Sequence, residues 1–317
     1  MTIAILGAAG AVGKAVAAAL RQRNIPFRAV GRNKARLEAA FKDYPGAELV
    51  EADLMTVEGA RKASRGMSTL IHTAGVTYTE FERLPPMMRA SIDGAVAEGV
   101  KRIVLATNVY PYGRPRTSPV KEDHPREPHT KKGQLRKQQE DLLLEAHAQG
   151  KLQGLVVRFP DFYGADAEYS FAIGMAQAAV AGKAANLVGN IDLPHEFIYI
   201  PDAGPVLVDL ALRDDVWGEV WHCGGASTIT QRQFVTQLFE AAGRKPKFRA
   251  AGSGLVRMIG LFDPFMRELF EMMYQWQETP LVLDDSKLRV KLGNVKKTSY
   301  EDGIRQTIGE LKARTAK

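Results

Sequence analysis

The 317 residues include one cysteine, Cys223, so the chain can form no intramolecular disulfide and no Cys-rich metal site, and nothing in it requires an oxidising compartment. Cytoplasm is the expected location. No uncharged stretch exceeds the 14 residues of 169–182, and the apolar N-terminus reaches Lys14 without a basic leader. Neither a membrane span nor an export signal is expected. The 29 glycines and 16 prolines follow no period, which excludes a collagen-like chain. Apolar residues at 45% and charged residues at 25% exclude disorder. No aromatic run interleaves the basic residues and no nucleic-acid motif accompanies them, so nucleic acid is not an expected partner.

What is there is an alternating pattern. Short aliphatic or β-branched runs at 2–6, 27–30, 48–51, 69–72, 102–106 and 154–158 read as strands separated by helical stretches. Strand, crossover helix and parallel strand together make a doubly wound α/β sheet, buried on both sides. Beyond Tyr163 the rhythm loosens: helix at 171–181, strand at 197–200, helix at 202–213, strand at 219–223. Thr228 is placed to cap a helix running to about Ala242, followed by an extended segment near Phe248 and one long apolar helix over 255–276.

The loop Gly7-Ala8-Ala9-Gly10-Ala11-Val12-Gly13 follows the first strand and opens a helix. In that context glycines permit a tight turn and close approach of backbone to a pyrophosphate at the positive end of the helix, which points to a dinucleotide. At the end of the second strand, where an NAD site offers an acid to the ribose, the chain reads Val30-Gly31-Arg32-Asn33-Lys34. Arg32, with Lys34 or Arg36, suits the extra phosphate of NADP, so NADP(H) is favoured over NAD(H). Asp53, before Leu54, is placed near an adenine, although a helix-capping role explains an Asp there equally well.

Taken in order, the GAAGAVG loop, Ala52-Asp53-Leu54, Ile71-His72-Thr73-Ala74-Gly75, Leu105-Ala106-Thr107-Asn108 with Tyr112-Gly113, the run 158–164 (RFPDFYG), and Asp285-Ser286-Lys287 leading to Leu292-Gly293 resemble the extended short-chain dehydrogenase/reductase superfamily, particularly its NAD-dependent epimerase/dehydratase branch. The resemblance covers nearly the whole chain. It implies a Rossmann domain at 1–165, joined by 196–226, and a smaller α/β substrate domain from 166–195 and 227–317. It places Gly7, Ala9, Gly10, Ala11, Val12, Gly13, Arg32, Asp53, Leu54, Thr73, Ala74, Gly75, Thr107 and Phe159 along the cofactor. A homodimer formed by the helices near 85–99 and 131–149 is also implied.

The superfamily's Ser-Tyr-Lys triad is missing. Asn108 stands at the Ser position, Lys132 where Tyr belongs and Arg136 where Lys belongs; a register slipped by one residue recovers Lys137 but puts Gly133 at the Tyr position. Asn108 still offers an amide N–H to polarise a carbonyl. Lys132 becomes a candidate proton donor if the neighbouring cations Lys131 and Arg136 lower its pKa. An exposed helix edge without catalytic role is the plainer alternative for the Lys132/Arg136 pair. Tyr78, Tyr110, Tyr112 and Tyr163 all fall at the carboxyl edge of the sheet, where one of them, Tyr110 among them, can supply the phenol. His195 reads as structural and Cys223 as a small hydrophobe.

Between Lys101 and Lys137 ten Lys/Arg face three acids, equal in surplus to the whole-chain net of +7. This is either a solvated face or a mouth for an anionic ligand. The Met- and Phe-rich stretch 255–276 reads as core or subunit contact, or else as a lid or lipid-facing surface. Three functions stay open: an NADP-dependent oxidoreductase acting on a carbonyl or alcohol, a nucleotide-sugar epimerase or dehydratase, and a catalytically silent NADP(H) sensor.

Overall fold

A computed structural model describes residues 1–315 except 169, 260 and 278, with backbone only at 253, 255, 259, 264 and 265. Its centre is a seven-stranded parallel sheet: β1 (Ile3–Leu6), β2 (Phe27–Gly31), β3 (Ala47–Glu51), β4 (Thr69–His72), β5 (Arg102–Asn108), β6 (Gln153–Phe159) and β10 (Val220–His222), in spatial order β10-β6-β5-β4-β1-β2-β3. The six strand expectations of the first half fall on strands: 69–72 matches as it stands, the first starts one residue later, and the other four are longer by one or two residues. β1 and β4 are buried along their whole length, as their unbroken apolar runs require of strands covered on both faces.

Two helical layers cover the sheet. α1 (Ala11–Gln22) and α7 (Ile200–Ala211) pack together on one face, where Val16, Leu20, Leu207 and Leu210 share a core with Ile5 and Val157. α2 (Lys34–Phe41) adds Leu37 and Phe41 to that core. On the other face, α3 (Val57–Ser64), α4 (Leu84–Ala97) and α5 (Lys131–Ala148) bury Ala63, Met88, Ile92 and Leu143 against Leu70 and Leu105. The strand order reverses between β1 and β4, and the crevice for a ligand opens there at the carboxyl ends.

The later chain builds a second core. β7 (Asp161–Tyr163), β9 (Pro194–Tyr199) and β11 (Thr228–Thr230) form a three-stranded sheet, and β8 (Ala185–Val188) pairs with β12 (Phe248–Ala251). α6 (Phe171–Ala181), α8 (Gln231–Ala241) and α12 (Tyr300–Thr315) surround Phe197, Phe234, Tyr163 and Tyr300. Two local expectations are corrected. Thr228 lies in β11, and Thr230 caps α8 through a capping box with Gln233. The long helix expected over 255–276 is broken into α9 (Ser253–Ile259), α10 (Pro264–Met272) and a 3-10 turn at Met273–Trp276, followed by α11 (Ser286–Leu292). Proline at the first position of α10 starts a helix but cannot continue one, and Asp263 Oδ1 accepts the Met266 N–H at 3.2 Å. No helix among the described residues is long and apolar enough to cross a membrane.

Candidate active site

The glycine loop is fixed by steric necessity. Gly7 has φ +84°, and a Cβ there would fall 2.5 Å from Ala74 Cα; one on Gly13 would fall 2.5 Å from the Gly7 carbonyl oxygen. Only hydrogen fits at either position, so the turn closes tightly between β1 and the end of β4. Gly10 is the N-cap of α1, no side chain caps that helix, and its first turn carries no acid. Ala9, Ala11 and Val12 are half-buried around this end, leaving backbone N–H groups and the positive helix end for an anion. The donor set fits a pyrophosphate.

Past β2, Asn33 Oδ1 caps α2 by accepting the Arg36 N–H at 2.9 Å. Arg32 is exposed and has no ion-pair partner among the described residues, whereas Arg36 pairs with Glu168 at 3.1 Å and Lys34 with Glu38 at 3.8 Å. Asp53 is exposed, and its Oδ1 accepts the Met55 N–H at 3.0 Å; the cap of α3 is Thr56, so capping does not account for Asp53. Leu54 is buried beneath that turn. Thr73 Oγ1 donates to the Leu6 carbonyl at 2.9 Å, Ala74 abuts Gly7, and Gly75 opens into free space. Thr107 Oγ1, near the end of β5, is buried without a partner among the described residues. Phe159 is completely buried, 5.3 Å from the Phe162 ring, and forms a wall rather than an open surface.

At the end of β5, Asn108 Oδ1 accepts the Tyr110 N–H at 3.2 Å, which starts a 3-10 turn over Tyr110–Tyr112. The phenol of Tyr110 meets that of Tyr78 at 2.6 Å. Burial pushes both phenols well above the ordinary tyrosine range, and the Asp161 carboxylate adds to the shift. Tyr110 is buried, while Tyr78 reaches a cavity of about 370 Å³ lined also by Thr77, Phe171, Ile173, Met175 and Asn186.

α5 closes against this turn. A Cβ on Gly133 would lie 2.8 Å from the Tyr110 carbonyl oxygen and 2.7 Å from Pro128 Cβ, so no tyrosine fits in the slipped register. Lys132 and Arg136, four residues apart, flank the Tyr78–Phe81–Tyr110 aromatic group: Lys132 Nζ lies 5.8 Å from the Tyr78 ring centre, and the Arg136 guanidinium 5.2 Å from that of Phe81. The reasoning that surrounded Lys132 with cations is overturned. Lys131 turns away to Glu82 at 2.6 Å, and the buried Lys132 ammonium is held between Glu268 and Glu271 of α10, the latter at 2.6 Å. Arg136 donates to Gln139 at 2.9 Å, and its buried Nε has no partner among the described residues. Beneath them, Glu140 and Arg158 form a fully buried pair at 2.5 Å that ties α5 to β6.

The basic stretch is largely neutralised. Arg102, Arg116, Arg126, Lys131, Lys132 and Lys137 all form ion pairs, which favours a solvated face over an anion-attracting mouth. His195 is buried, paired with Asp161 at 2.9 Å and 4.6 Å from the Phe197 ring. Among the described residues no group of three His, Cys, Asp or Glu side chains is placed to hold a metal ion.

The sequence model of a family described as NAD(P)H-binding matches residues 7–169. The chain belongs to this NAD(P)H-binding family. UDP-glucose 4-epimerase of Azospirillum brasilense is 25% identical over 274 residues, 77% of this chain and 78% of that one. A 2'-dehydrokanamycin reductase of Streptomyces kanamyceticus is 27% identical over 209 residues, 57% of this chain and 59% of its own. Among solved structures, the dTDP-glucose 4,6-dehydratase DesIV of Streptomyces venezuelae with NAD and TYD bound superposes with a TM-score of 0.82 at 18% identity, covering 100% of this chain and 98% of that one. The Thermus thermophilus UDP-glucose 4-epimerase complex with NAD gives 0.78 at 18% identity, over 98% and 99%. The extended short-chain dehydrogenase/reductase fold inferred from the motifs is therefore the fold observed.

In this NAD(P)H-binding protein, the residues that sequence reasoning missed are the partners across long distances. Glu268 and Glu271 are more than 130 residues from Lys132, and the Asp161–His195 pair joins β7 to β9. No local spacing marks either. The Tyr78–Tyr110 contact was foreshadowed only by both tyrosines falling after neighbouring strands.

Proposed function

We propose that the protein is an NADP-dependent oxidoreductase that interconverts a carbonyl and an alcohol, with Tyr78 as the proton donor. The observation that carries this reading is the hydrogen-bonded Tyr78–Tyr110 pair, one member of which lines the cavity. When bound, the cofactor supplies the hydride. Tyr78 gives its proton to the carbonyl oxygen, and Tyr110 and the Arg136 charge stabilise the phenolate left behind. Burial disfavours ionising Tyr78, and the Tyr110 hydrogen bond and the Arg136 charge offset part of that cost when the proton is given up. Asn108, with an amide nitrogen unpartnered among the described residues, polarises the same carbonyl, and Lys132, itself held by the α10 carboxylates, positions the Tyr78 ring.

Arg32 supports NADP over NAD, because it stands, without an ion-pair partner among the described residues, where an NAD-selective site would carry an acid. Gly7, Gly10 and Gly13 cradle the pyrophosphate; Asp53, Thr73, Gly75 and Thr107 complete the cofactor wall. We divide the chain into 1–165 with 196–226, and 166–195 with 227–317. A homodimer through α4 and α5, which pack side by side, and a cytoplasmic location complete the proposal. The similarity to a UDP-glucose 4-epimerase favours a second reading, a redox-neutral nucleotide-sugar epimerase; the mainly apolar cavity lining and the neutralised basic stretch weigh against it.

The test compares wild type with Tyr78→Phe. The variant is expected to lose about 100-fold or more in kcat while titrating NADPH as wild type does. Full activity in Tyr78→Phe would overturn the donor assignment.

A further inference from the structure

The α9–α10 pair buries one face and exposes the other. Val256, Leu269 and Met273 pack inward with Val188 and Trp276. Leu261 and Phe262, in the turn between the helices, are 73% and 87% exposed, and Met258 is 56% exposed. A turn that presents consecutive Leu and Phe side chains to water loses the burial those side chains normally gain, which marks it as a contact surface rather than a core element.

Positive charge is concentrated in the same part of the chain. From Arg244 to Arg267 there are six Lys/Arg (Arg244, Lys245, Lys247, Arg249, Arg257 and Arg267) against one acid, Asp263, a surplus of five out of the whole-chain +7. All six are exposed, and none has an ion-pair partner among the described residues. The contrast with 101–137 is direct, since the cations there are mostly matched by carboxylates. This run of unpaired cations therefore surrounds, along the chain, the exposed Met258, Leu261 and Phe262, and β12, which carries Arg249, packs against α9.

We propose that this tip docks on an anionic lipid bilayer. Leu261, Phe262 and Met258 enter the boundary between headgroups and acyl chains, and the six cations meet the lipid phosphates. A second copy of the chain is a poorer occupant, because a two-fold contact through this tip would set both clusters of unpaired cations together. A nucleic acid would match the charge but leave Leu261 and Phe262 without apolar partners. α10 also carries Glu268 and Glu271, which grip Lys132 beside Tyr78, so the element that would touch lipid is the one that braces the aromatic pair.

The test is co-sedimentation of the full chain with phosphatidylglycerol/phosphatidylcholine vesicles and with pure phosphatidylcholine vesicles, at low and high salt. Binding is expected to the anionic vesicles and to weaken with salt. In L261S/F262S the vesicle partition should fall by about tenfold or more, and K245E/K247E should reduce it by a similar factor through lost attraction. Thermal unfolding of both variants should match wild type, since all four side chains are exposed. Failure of wild type to bind anionic vesicles, or undiminished binding by L261S/F262S, would overturn the proposal. So would a concentration-dependent dimer that L261S/F262S dissolves in a protein that ignores vesicles.

Discussion

Tyr78 and Tyr110 bring their phenolic oxygens to 2.6 Å although the first follows β4 and the second follows β5. Neighbouring parallel strands end at the same edge, so the connections leaving them meet above the sheet. Tyr78 lines the cavity, Tyr110 is buried, and the Arg136 charge acts on both. In the proposed function, these tyrosines from other connections do the work of the superfamily's missing tyrosine, rather than a residue of α5.

Tyr110→Phe should act through Tyr78. Removing the inner hydroxyl takes one hydrogen bond from the developing phenolate, so kcat should fall by about tenfold with KM nearly unchanged. Because burial holds Tyr78 above its ordinary range, wild-type reduction should stay flat from about pH 6 to about pH 9. Stopped-flow rates across that window check both statements.

Arg32→Ala should weaken NADPH binding by about tenfold or more through loss of a charge-assisted contact to the ribose phosphate, and leave NADH unchanged. Arg36 is expected to matter less, since Glu168 already occupies it. Fluorescence titration of both nucleotides with each variant separates the two.

The Lys132 clamp makes a stability prediction. Lys132→Met leaves Glu268 and Glu271 facing each other without their cation; at 31% and 24% exposure they keep some water, so a loss of about 1–3 kcal/mol is expected. Adding Glu268→Gln and Glu271→Gln should return part of it. Urea unfolding of the single and triple variants measures the recovery.

Glu196 gives the pH dependence its sign. Burial pushes its carboxyl up to about 7, although it accepts the N–H groups of Gly225 and Leu283, each at 2.9 Å. A folded-state value raised above the unfolded one makes the group's stabilising contribution complete below about pH 4.5 and lost as pH rises through about 7. His72 and His222, lowered by burial to about 4 and about 3, run the other way, so the informative quantity is a difference. The unfolding free energy of wild type minus that of Glu196→Gln should fall as pH rises from 5 to 8.

The fold and the NAD(P)H-binding family were legible because they rest on local signals. Strand periodicity and the glycine loop each lie within a few residues of chain. The long helix over 255–276 was misread because its apolar content outweighed Pro264, which divides it. The environment of Lys132 was misread for another reason: its sequence neighbours are cations, but the groups that touch its ammonium come from α10. Tertiary placement, which no spacing rule contains, decides the chemistry of that residue.

The most direct test of the account is the stoichiometry of NADPH oxidation by purified protein offered aldehydes, ketones, enones and nucleotide sugars. One NADP formed for each carbonyl reduced, with NADH a poorer donor, is the predicted result. Conversion of a nucleotide sugar with no net change in cofactor, or tight NADPH binding with no oxidation by any substrate, would contradict it.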